Sequence, residues 1–285
     1  MAICYSMNAN HFLYEKGLIF LIALCCLALY SDHLQVGMGR TLIHNTEYHN
    51  QNCNDPASNS IMHQELNQSL SIRGIVNLSA SEDHPSITLK PFRIMPSGIL
   101  TPLSANSTFS IELIDENGKV LAHYPTDIIV SKAKVEEWRD MGYISEAVPL
   151  NPCTTKVTIN NNDEVLASQV VSPHPPEILS IKVTDEDRNP KLIFPRASNM
   201  TIEWQARDLD NDDLTYLVQY SNDGGLTWPS TIADDLNETS LELSANSLEG
   251  NTVSLSKFRV IATDGINTDI RDSDSFSVPF LNIGH

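Results

Sequence analysis

The chain has 285 residues, of which 41% are hydrophobic, a length and composition that accommodate two folded domains. Its formal net charge is −18, and −11 of that charge lies from Glu177 onward, so both halves of the chain are acidic. Such a surface lacks the clustered lysine and arginine that nucleic-acid phosphates require, which excludes nucleic acid as an expected partner. It suits a soluble protein, divalent cations or saline surroundings.

An uncharged, almost wholly apolar segment at Gly17–Tyr30 is the first feature in chain order. A membrane-spanning helix needs about 20 apolar residues, and this segment is shorter than that. Its composition is that of the hydrophobic region of a secretory signal. Residues 1–31 are therefore interpreted as a signal peptide, or as a membrane anchor if they are not cleaved. Both interpretations predict a secreted or cell-surface protein.

Residues 32–68 are polar, rich in Asn, His and Gln, and without a sustained hydrophobic period, so they are predicted to form a flexible spacer. His44, His49 and Cys53 lie close together in this spacer, but no second ligand cluster accompanies them, which favours a polar linker over a metal site. Cys53 and Cys153 are the cysteines that follow the apolar segment. In an exported chain they are candidates for one disulfide.

Residues 69–171 contain short apolar alternations that are typical of half-buried strands. A first strand is predicted from Leu70 to Leu78, and a second over Ser86–Ile94, with an edge or bulge at Pro91. Asn117-Gly118 lies between two apolar runs and predicts a hairpin. Short strands at this spacing over about 100 residues predict a β-sandwich.

The connector at 172–176, Ser-Pro-His-Pro-Pro, predicts a stiff and extended linker because proline restricts the backbone. Residues 177–285 then show a similar strand pattern, in which Trp204 alternates with polar neighbours and is predicted to be buried. A closing strand is predicted over Asp274–Phe280. Seven strands around one buried Trp predict an immunoglobulin-like sandwich. The predicted fold class is therefore all-β, with two tandem immunoglobulin-like β-sandwich domains after the N-terminal hydrophobic segment and the polar spacer.

Three runs of the second domain carry a more specific signal: Trp204-Gln-Ala-Arg-Asp-Leu-Asp-Asn-Asp-Asp-Leu-Thr-Tyr216, Ser221–Trp228 and Phe258-Arg-Val-Ile-Ala-Thr-Asp-Gly265. Together they resemble fibronectin type III-like domains in the tails of secreted microbial proteins. Some of those proteins carry a peptidase or another enzyme domain upstream. The resemblance therefore implies, as one alternative, the C-terminal fragment of a larger secreted enzyme.

The second of these runs, Ser221-x-Asp223-x-Gly225-x-Thr227-Trp228, also matches the Asp-box pattern of sialidases and other β-propeller proteins. In those proteins the motif is a structural hairpin, in which the carboxylate accepts hydrogen bonds from the turn and the Trp packs beneath it. A propeller requires this kind of unit to repeat about every 40–50 residues, and one copy does not predict a sialidase. The motif is predicted to hold a tight turn between strands at Leu214–Tyr220 and Leu226–Ala233.

Asp208, Asp210, Asp212 and Asp213 form the strongest candidate for a chemical site. Alternate carboxylates in one loop can converge on a hard cation such as Ca²⁺. The run is not an EF-hand, since no Gly follows Asp212 and no Glu closes the loop. A calcium site and a solvated turn between strands remain as alternatives, and no other cofactor is predicted.

The sequence contains no His-Glu-x-x-His motif, no Gly-x-Ser-x-Gly elbow and no phosphate-binding glycine loop, so no enzyme is predicted. The predicted function is a non-catalytic exported or cell-surface module for spacing, adhesion or interaction, with other proteins or surface glycans as partners. Carbohydrate binding by loops at one end of a sandwich is the alternative from a different class. Membrane attachment is expected through residues 17–30.

Overall fold

The computed structural model describes residues 68–78, 85–96, 107–130, 141–250 and 255–279. The apolar segment, the spacer up to residue 67 and Cys53 lie outside these residues. Within the described ranges, no helix is long and apolar enough to cross a membrane. The helical element in them is a 3-10 turn at Ala245–Ser247.

Antiparallel β-structure makes up almost all of the ordered elements, which confirms the all-β prediction. The described residues form sixteen strands: β1 (Gln68–Asn77), β2 (Ser86–Leu89), β3 (Arg93–Pro96), β4 (Phe109–Ile114), β5 (Val120–Thr126), β6 (Ile129–Val130), β7 (Met141–Pro149), β8 (Lys156–Asn161), β9 (Glu164–Val170), β10 (Glu177–Thr184), β11 (Asn199–Arg207), β12 (Thr215–Ser221), β13 (Ser230–Leu236), β14 (Ser240–Ser244), β15 (Lys257–Thr263) and β16 (Thr268–Asp272).

The first sandwich consists of β1–β9 in two antiparallel sheets. One sheet has the order β2-β1-β7-β6, with β3 also paired to β1, and the other has the order β5-β4-β8-β9. The predicted alternation of β1 is confirmed, because Leu70, Ile72 and Val76 are fully buried between the sheets. The buried members of this core are aliphatic apart from Phe92.

The strand predicted over Ser86–Ile94 is divided in two. β2 ends at Leu89 and β3 begins at Arg93, because Pro91 between them has no N–H to contribute to a ladder. Both strands pair with β1, along different parts of its length. The break leaves the N–H of Phe92 outside the sheet, where it donates a hydrogen bond to the carbonyl of Gly265 in the following sandwich at 2.9 Å.

The second sandwich consists of β10–β16, which is the predicted number of strands. Its sheets have the orders β10-β11-β14 and β13-β12-β15-β16. Trp204 is buried between them, as predicted, and meets Tyr216 edge to face with 5.4 Å between ring centroids. Unlike the first core, this one is rich in aromatic rings, whose contacts add to the stabilisation from buried area. The buried rings are Phe194, Trp204, Tyr216, Tyr220, Phe258 and Phe276.

The strand after the Asp-box-like motif begins later than predicted. β13 starts at Ser230 and not at Leu226, so residues 222–229 form an eight-residue loop in place of a tight turn. Hydrogen bonds from Thr227 to Asp223 hold this part of the chain in the loop and away from the ladder. The glycines supply the shape, since Gly224 and Gly225 both adopt positive φ.

The closing strand also differs from the prediction. β16 lies at Thr268–Asp272, directly after the Asp264-Gly265 turn, and residues 274–279 form no named strand. Phe276 and Val278 are buried, which explains the apolar alternation that predicted a strand here. This segment makes isolated bridges from Phe276 to Ser256 and from Ser277 to Ile193.

Candidate functional site

The acidic loop, Asp208–Asp213, follows β11 at the end of the second sandwich that meets the connector. Oδ1 of Asp208 accepts hydrogen bonds from the N–H groups of Asp210 at 2.8 Å and Asp212 at 3.2 Å, which folds the loop back on itself. Carboxylate oxygens of Asp208, Asp210 and Asp212 lie within 4.8 Å of one another, and Asp213 is not part of this cluster. Three hard oxygen ligands at this spacing have the chemistry that a cation such as Ca²⁺ prefers.

The same carboxylates hold the proline-rich connector. The hydroxyl of Ser172 donates to Asp210 at 2.9 Å and to Asp212 at 2.5 Å. The N–H of His174 donates to Asp210 at 2.7 Å, and its Nδ1 lies 2.7 Å from the other oxygen of that carboxylate. The hydrogen bond from the His174 ring has the largest effect on the pKa of Asp210. Together with the bonds from the His174 N–H and the Ser172 hydroxyl, it holds this pKa below its ordinary value. The acidic loop is thus an anchor for the connector.

Another carboxylate lies near the acidic loop, in the turn between β15 and β16. Asp264 accepts hydrogen bonds from the N–H of Ile266 at 3.0 Å and from the side-chain amide of Asn267 at 2.9 Å. The amide of Asn267 also donates to the carbonyl of Ser172 at 2.9 Å, so this turn contacts the connector as well. Burial, with a smaller effect from the charge of Asp208, raises the pKa of Asp264 to about 6.

The turn between β15 and β16 also inserts into the first sandwich. Ile266 is 1% exposed and belongs to the core of that sandwich. Beside it, the hydroxyl of Thr263 donates to the carbonyl of Phe92 at 2.7 Å, and the N–H of Ile94 donates to the hydroxyl of Thr268 at 2.8 Å. The two sandwiches therefore share apolar packing and hydrogen bonds between side-chain hydroxyls of the second sandwich and the main chain of the first.

A cluster of five charged side chains, here called the ion cluster, joins the same two sandwiches. Arg73, Lys90 and Arg93 come from the first sandwich, and Asp234 and Asp235 come from β13. Asp234 lies 2.5 Å from Arg73 and 2.7 Å from Arg93, while Asp235 lies 3.3 Å from Lys90. The Arg93 side chain is 4% exposed. Its burial lowers the pKa of its guanidinium, in opposition to the nearby carboxylates.

At the opposite end of the second sandwich, the residues of the Asp-box-like motif close their own loop. One oxygen of Asp223 accepts hydrogen bonds from the Ser221 hydroxyl at 2.6 Å and the Thr227 N–H at 3.0 Å, and the other accepts from the Thr227 hydroxyl at 2.5 Å. These bonds hold the pKa of Asp223 well below its ordinary value. Gly225 has a φ of +90°, and a Cβ there would lie 3.2 Å from the ring of Trp228.

The predicted site residues are thus only partly brought together. Three of the four predicted calcium ligands converge, and calcium binding stays a prediction. Cys153 is disulfide-bonded. Its predicted partner, Cys53, lies outside the described residues, and this pairing stays a prediction as well.

Sequence reasoning missed the ion cluster and the role of Ile266. The arginines lie 141 to 162 positions before the aspartates that they contact, and no local pattern connects residues at that separation. The one local signal is the adjacent acidic pair Asp234-Asp235, which directly follows the strand predicted at Leu226–Ala233. Ile266 follows a turn and reads as an exposed loop residue, although it is buried in the other sandwich.

No family model and no curated protein matches this sequence. Among solved structures, the chain is similar to the fibronectin type III domains FN1–FN3 of chicken CNTN1, with 11% sequence identity and a TM-score of 0.23. The match covers 68% of this chain and 60% of that chain, so it spans less than two thirds of the length of the chicken protein fragment. A TM-score of this size supports no structural argument, and the assignment of two β-sandwiches rests on the sheets and cores described above.

Proposed function

We propose that the protein is a non-catalytic exported or cell-surface module, in which the two β-sandwiches form one spacer of fixed orientation. The observation that carries this proposal is the insertion of Ile266 into the core of the first sandwich, beside the ion cluster. Domains that move independently are usually joined by smaller and more polar interfaces. A shared core residue makes separation of the sandwiches costly, because it would expose apolar surface to water.

The connector supports the same conclusion. Proline restricts its backbone, and the hydrogen bonds of Ser172 and His174 to Asp210 fasten it to the second sandwich. Asn267 adds a further hydrogen bond to the connector at the carbonyl of Ser172. A connector held in this way limits the rotation of one sandwich against the other, which is what a spacer requires.

The distance distribution between the two sandwiches tests the proposal. Fluorophores are attached at the exposed positions Glu116 and Ser275 of the full chain as non-canonical residues, which leaves the native cysteines unchanged. We expect a single narrow distribution by energy transfer, and a broader one in the Asp234→Asn, Asp235→Asn double variant, because Arg73 and Arg93 then lose their charged partners.

The matched control for this experiment is Glu177→Gln. It removes an ion pair of similar length, 2.5 Å from Arg207, that lies within the second sandwich. The distribution is expected to remain narrow in this variant. A broad distribution in the unsubstituted protein would show that the sandwiches move independently, and the spacer proposal would be wrong.

A cleft on the β10-β11-β14 sheet supports carbohydrate binding as a second candidate function. It has a volume of about 300 Å³, and its lining includes Ser180, Lys182, Glu203, Gln205 and Ser240. Hydroxyl, amide and charged groups of this kind can donate to and accept from the hydroxyls of a saccharide. The cleft lies on a sheet face and not on the loops where the sequence suggested such a site.

A glycan array tests this second candidate. The candidate is supported if the full chain binds a defined glycan and the Lys182→Ala, Gln205→Ala double variant does not. Glu242→Ala, on the exposed side of β14 but outside the residues that line the cleft, is the control and should bind as the unsubstituted protein does. The absence of glycan binding, or equal binding by all three proteins, would count against the cleft.

A further inference from the structure

Cys153 is the one cysteine among the residues that the structure describes, and it is disulfide-bonded. The other cysteines of the chain all precede β1, and they are Cys4, Cys25, Cys26 and Cys53. A bond within the chain therefore links the first sandwich to residues 1–67, which are here called the N-terminal arm. Such a link determines where the arm is attached to the folded domains.

The turn between β7 and β8 holds Cys153 in place. The N–H of Cys153 donates to Oδ1 of Asn151 at 2.9 Å. The carbonyl of Asn151 accepts hydrogen bonds from the N–H and the hydroxyl of Thr154, at 3.0 and 2.7 Å. Cys153 is also 7% exposed. Because a disulfide requires Cα atoms within roughly 7 Å of each other, the partner cysteine has to come to this turn.

The same turn lies where the chain enters and leaves the first sandwich. The N–H of Leu150, three positions before Cys153, donates to the carbonyl of Gln68 at 3.2 Å, at the start of β1. The N–H of Val171, directly before the connector, donates to the carbonyl of Thr155 at 2.9 Å. The N-terminal arm and the connector are therefore attached at one end of the first sandwich, which is also the end that carries Cys153.

Cys53 is the partner that this geometry favours. It precedes Gln68 by 15 positions, and a chain of that length extends up to roughly 50 Å, which is ample to reach the turn. The other three cysteines lie in or before the apolar segment at Gly17–Tyr30. They are removed with this segment if it is a signal peptide, and an anchor would keep them in or across the membrane. Closing the shortest loop also has the lowest entropy cost.

We propose that Cys153 is bonded to Cys53, and that this bond moves the attachment point of the N-terminal arm from Gln68 to Cys53, beside the connector. The bond forms by thiol–disulfide exchange: the two thiols lose two protons and two electrons, and a small-molecule or protein disulfide is reduced to two thiols. In the cell, the pairing rests on export, which is part of the proposed function, because disulfides persist in oxidising compartments.

The bond controls how far the two sandwiches stand from the apolar segment. Residues 31–67, which number 37, separate this segment from Gln68, whereas residues 31–52, which number 22, separate it from Cys53. The closed bond thus removes 15 residues from the tether, and its greatest reach decreases by roughly 50 Å. Reduction of the bond restores the longer tether. The spacer therefore has a tether whose length depends on the redox state of Cys153.

Peptide mapping of the full chain tests the pairing. The purified protein is oxidised with glutathione disulfide, alkylated, digested without reductant and analysed by mass spectrometry. We expect a linked pair of peptides that contain Cys53 and Cys153, and their separation on reduction. A bond from Cys153 to another cysteine, or an alkylated Cys153, would overturn the proposal. Because oxidation is carried out on purified protein, this result does not depend on export, which cell fractionation reports separately.

A distance measurement in the full chain tests the change in tether length. Fluorophores are attached as non-canonical residues at Gln35 in the N-terminal arm and at Glu116, which is exposed in the turn after β4. Gln35 lies 18 positions before Cys53 and 33 before Gln68. The mean distance by energy transfer should increase by roughly one third on reduction, since it scales with the square root of the tether length. An unchanged distance on reduction would overturn the proposal.

Two variants and a second pair of fluorophores complete this experiment. Cys53→Ser should show the longer distance with and without reductant, whereas Cys25→Ser should respond as the unsubstituted protein does. A response to reduction that Cys53→Ser retains would overturn the proposal. The distance between Glu116 and Ser275 reports on the two sandwiches alone and should remain narrow in both redox states. A broad distribution there would contradict the spacer and leave the pairing to be decided by the peptide map.

Discussion

The two ends of the second sandwich use aspartate in opposite ways. At the connector end, Asp210 accepts hydrogen bonds from Ser172 and His174, which lie 36 to 38 positions earlier in the chain. At the other end, Asp223 accepts its hydrogen bonds from Ser221 and Thr227, within four positions. Both carboxylates have a lowered pKa, yet the first joins separate segments and the second only stiffens its own loop. The position of the donors, and not the pKa, determines what each loop does.

Aliphatic side chains show the same contrast. Ile266 at the connector end is 1% exposed because the first sandwich covers it, whereas Leu226 at the other end is 85% exposed. Both follow glycine-containing turns, so local sequence treats them alike. Their difference arises from a covering sandwich at one end and from open solvent at the other.

The largest expected effect comes from truncating Ile266. The Ile266→Ala variant should lose about 2–5 kcal/mol of unfolding free energy, because it removes buried methyl groups and leaves a cavity in the first core. Leu226→Ala should change stability by less than about 0.5 kcal/mol, since it removes no buried contact. Urea unfolding followed by tryptophan fluorescence measures both. Similar losses in the two variants would contradict the assignment of Ile266 to the core of the first sandwich.

The next effect concerns Asp264, whose pKa is raised from 3.8 to about 6 by burial. The folded protein then binds this proton more tightly than the unfolded chain, so stability is highest below the unfolded pKa and falls as pH rises through about 6. The difference between the pKa values of Asp264 in the folded and unfolded states corresponds to up to roughly 3 kcal/mol of stability, between a pH well above both values and a pH well below both. We therefore expect melting temperature to rise on acidification from about pH 7 to about pH 5. Asp223 does not contribute to the pH dependence over this range. Its pKa is lowered, so its protonation destabilises the folded protein only under more acidic conditions.

The Asp264→Asn variant tests whether the pH dependence of the melting temperature originates at the connector end of the second sandwich. Its melting temperature should be nearly independent of pH over the same range, because the titrating carboxyl is gone. Asp274→Asn removes an exposed carboxylate of the same sandwich and should keep the slope of the unsubstituted protein. If Asp264→Asn keeps that slope too, another group is responsible for it.

The sequence was sufficient for features that depend on near neighbours. The alternation around Trp204 predicted its burial, because side chains of a strand point to opposite faces with a period of two. The spacing of Asp208, Asp210 and Asp212 in one loop allowed their convergence but left a solvated turn open as the alternative, and it is the structure that brings the three carboxylates together. Asp213 lies outside the cluster, just after the chain turns at Asn211 with a φ of +62°.

Features that depend on distant residues could not be predicted. The burial of Arg93 against Asp234 depends on how the two sandwiches meet, which no alternation within one strand reports. The closing strand was misplaced for a related reason. Phe276 and Val278 alternate as strand residues do, but the segment makes isolated bridges, from Phe276 to Ser256 and from Ser277 to Ile193. Alternation reports which side chains are buried, and it does not report which backbone is the partner.

The smallest expected effect on stability comes from replacing either of two exposed histidines, one in contact with the connector end and one in an ordinary surface pair. His174 beside Asp210 and His123 beside Glu112 are matched pairs, because each histidine side chain is 53% exposed. Either histidine changed to Ala should shift the melting temperature by less than about 2 °C, since exposed pairs contribute little. Only His174→Ala should broaden the distance distribution between the two sandwiches, because His123 and Glu112 both lie in the β4-β5 hairpin of the first sandwich. Equal distributions in the two variants would show that the prolines and the Ser172 contacts hold the connector without His174.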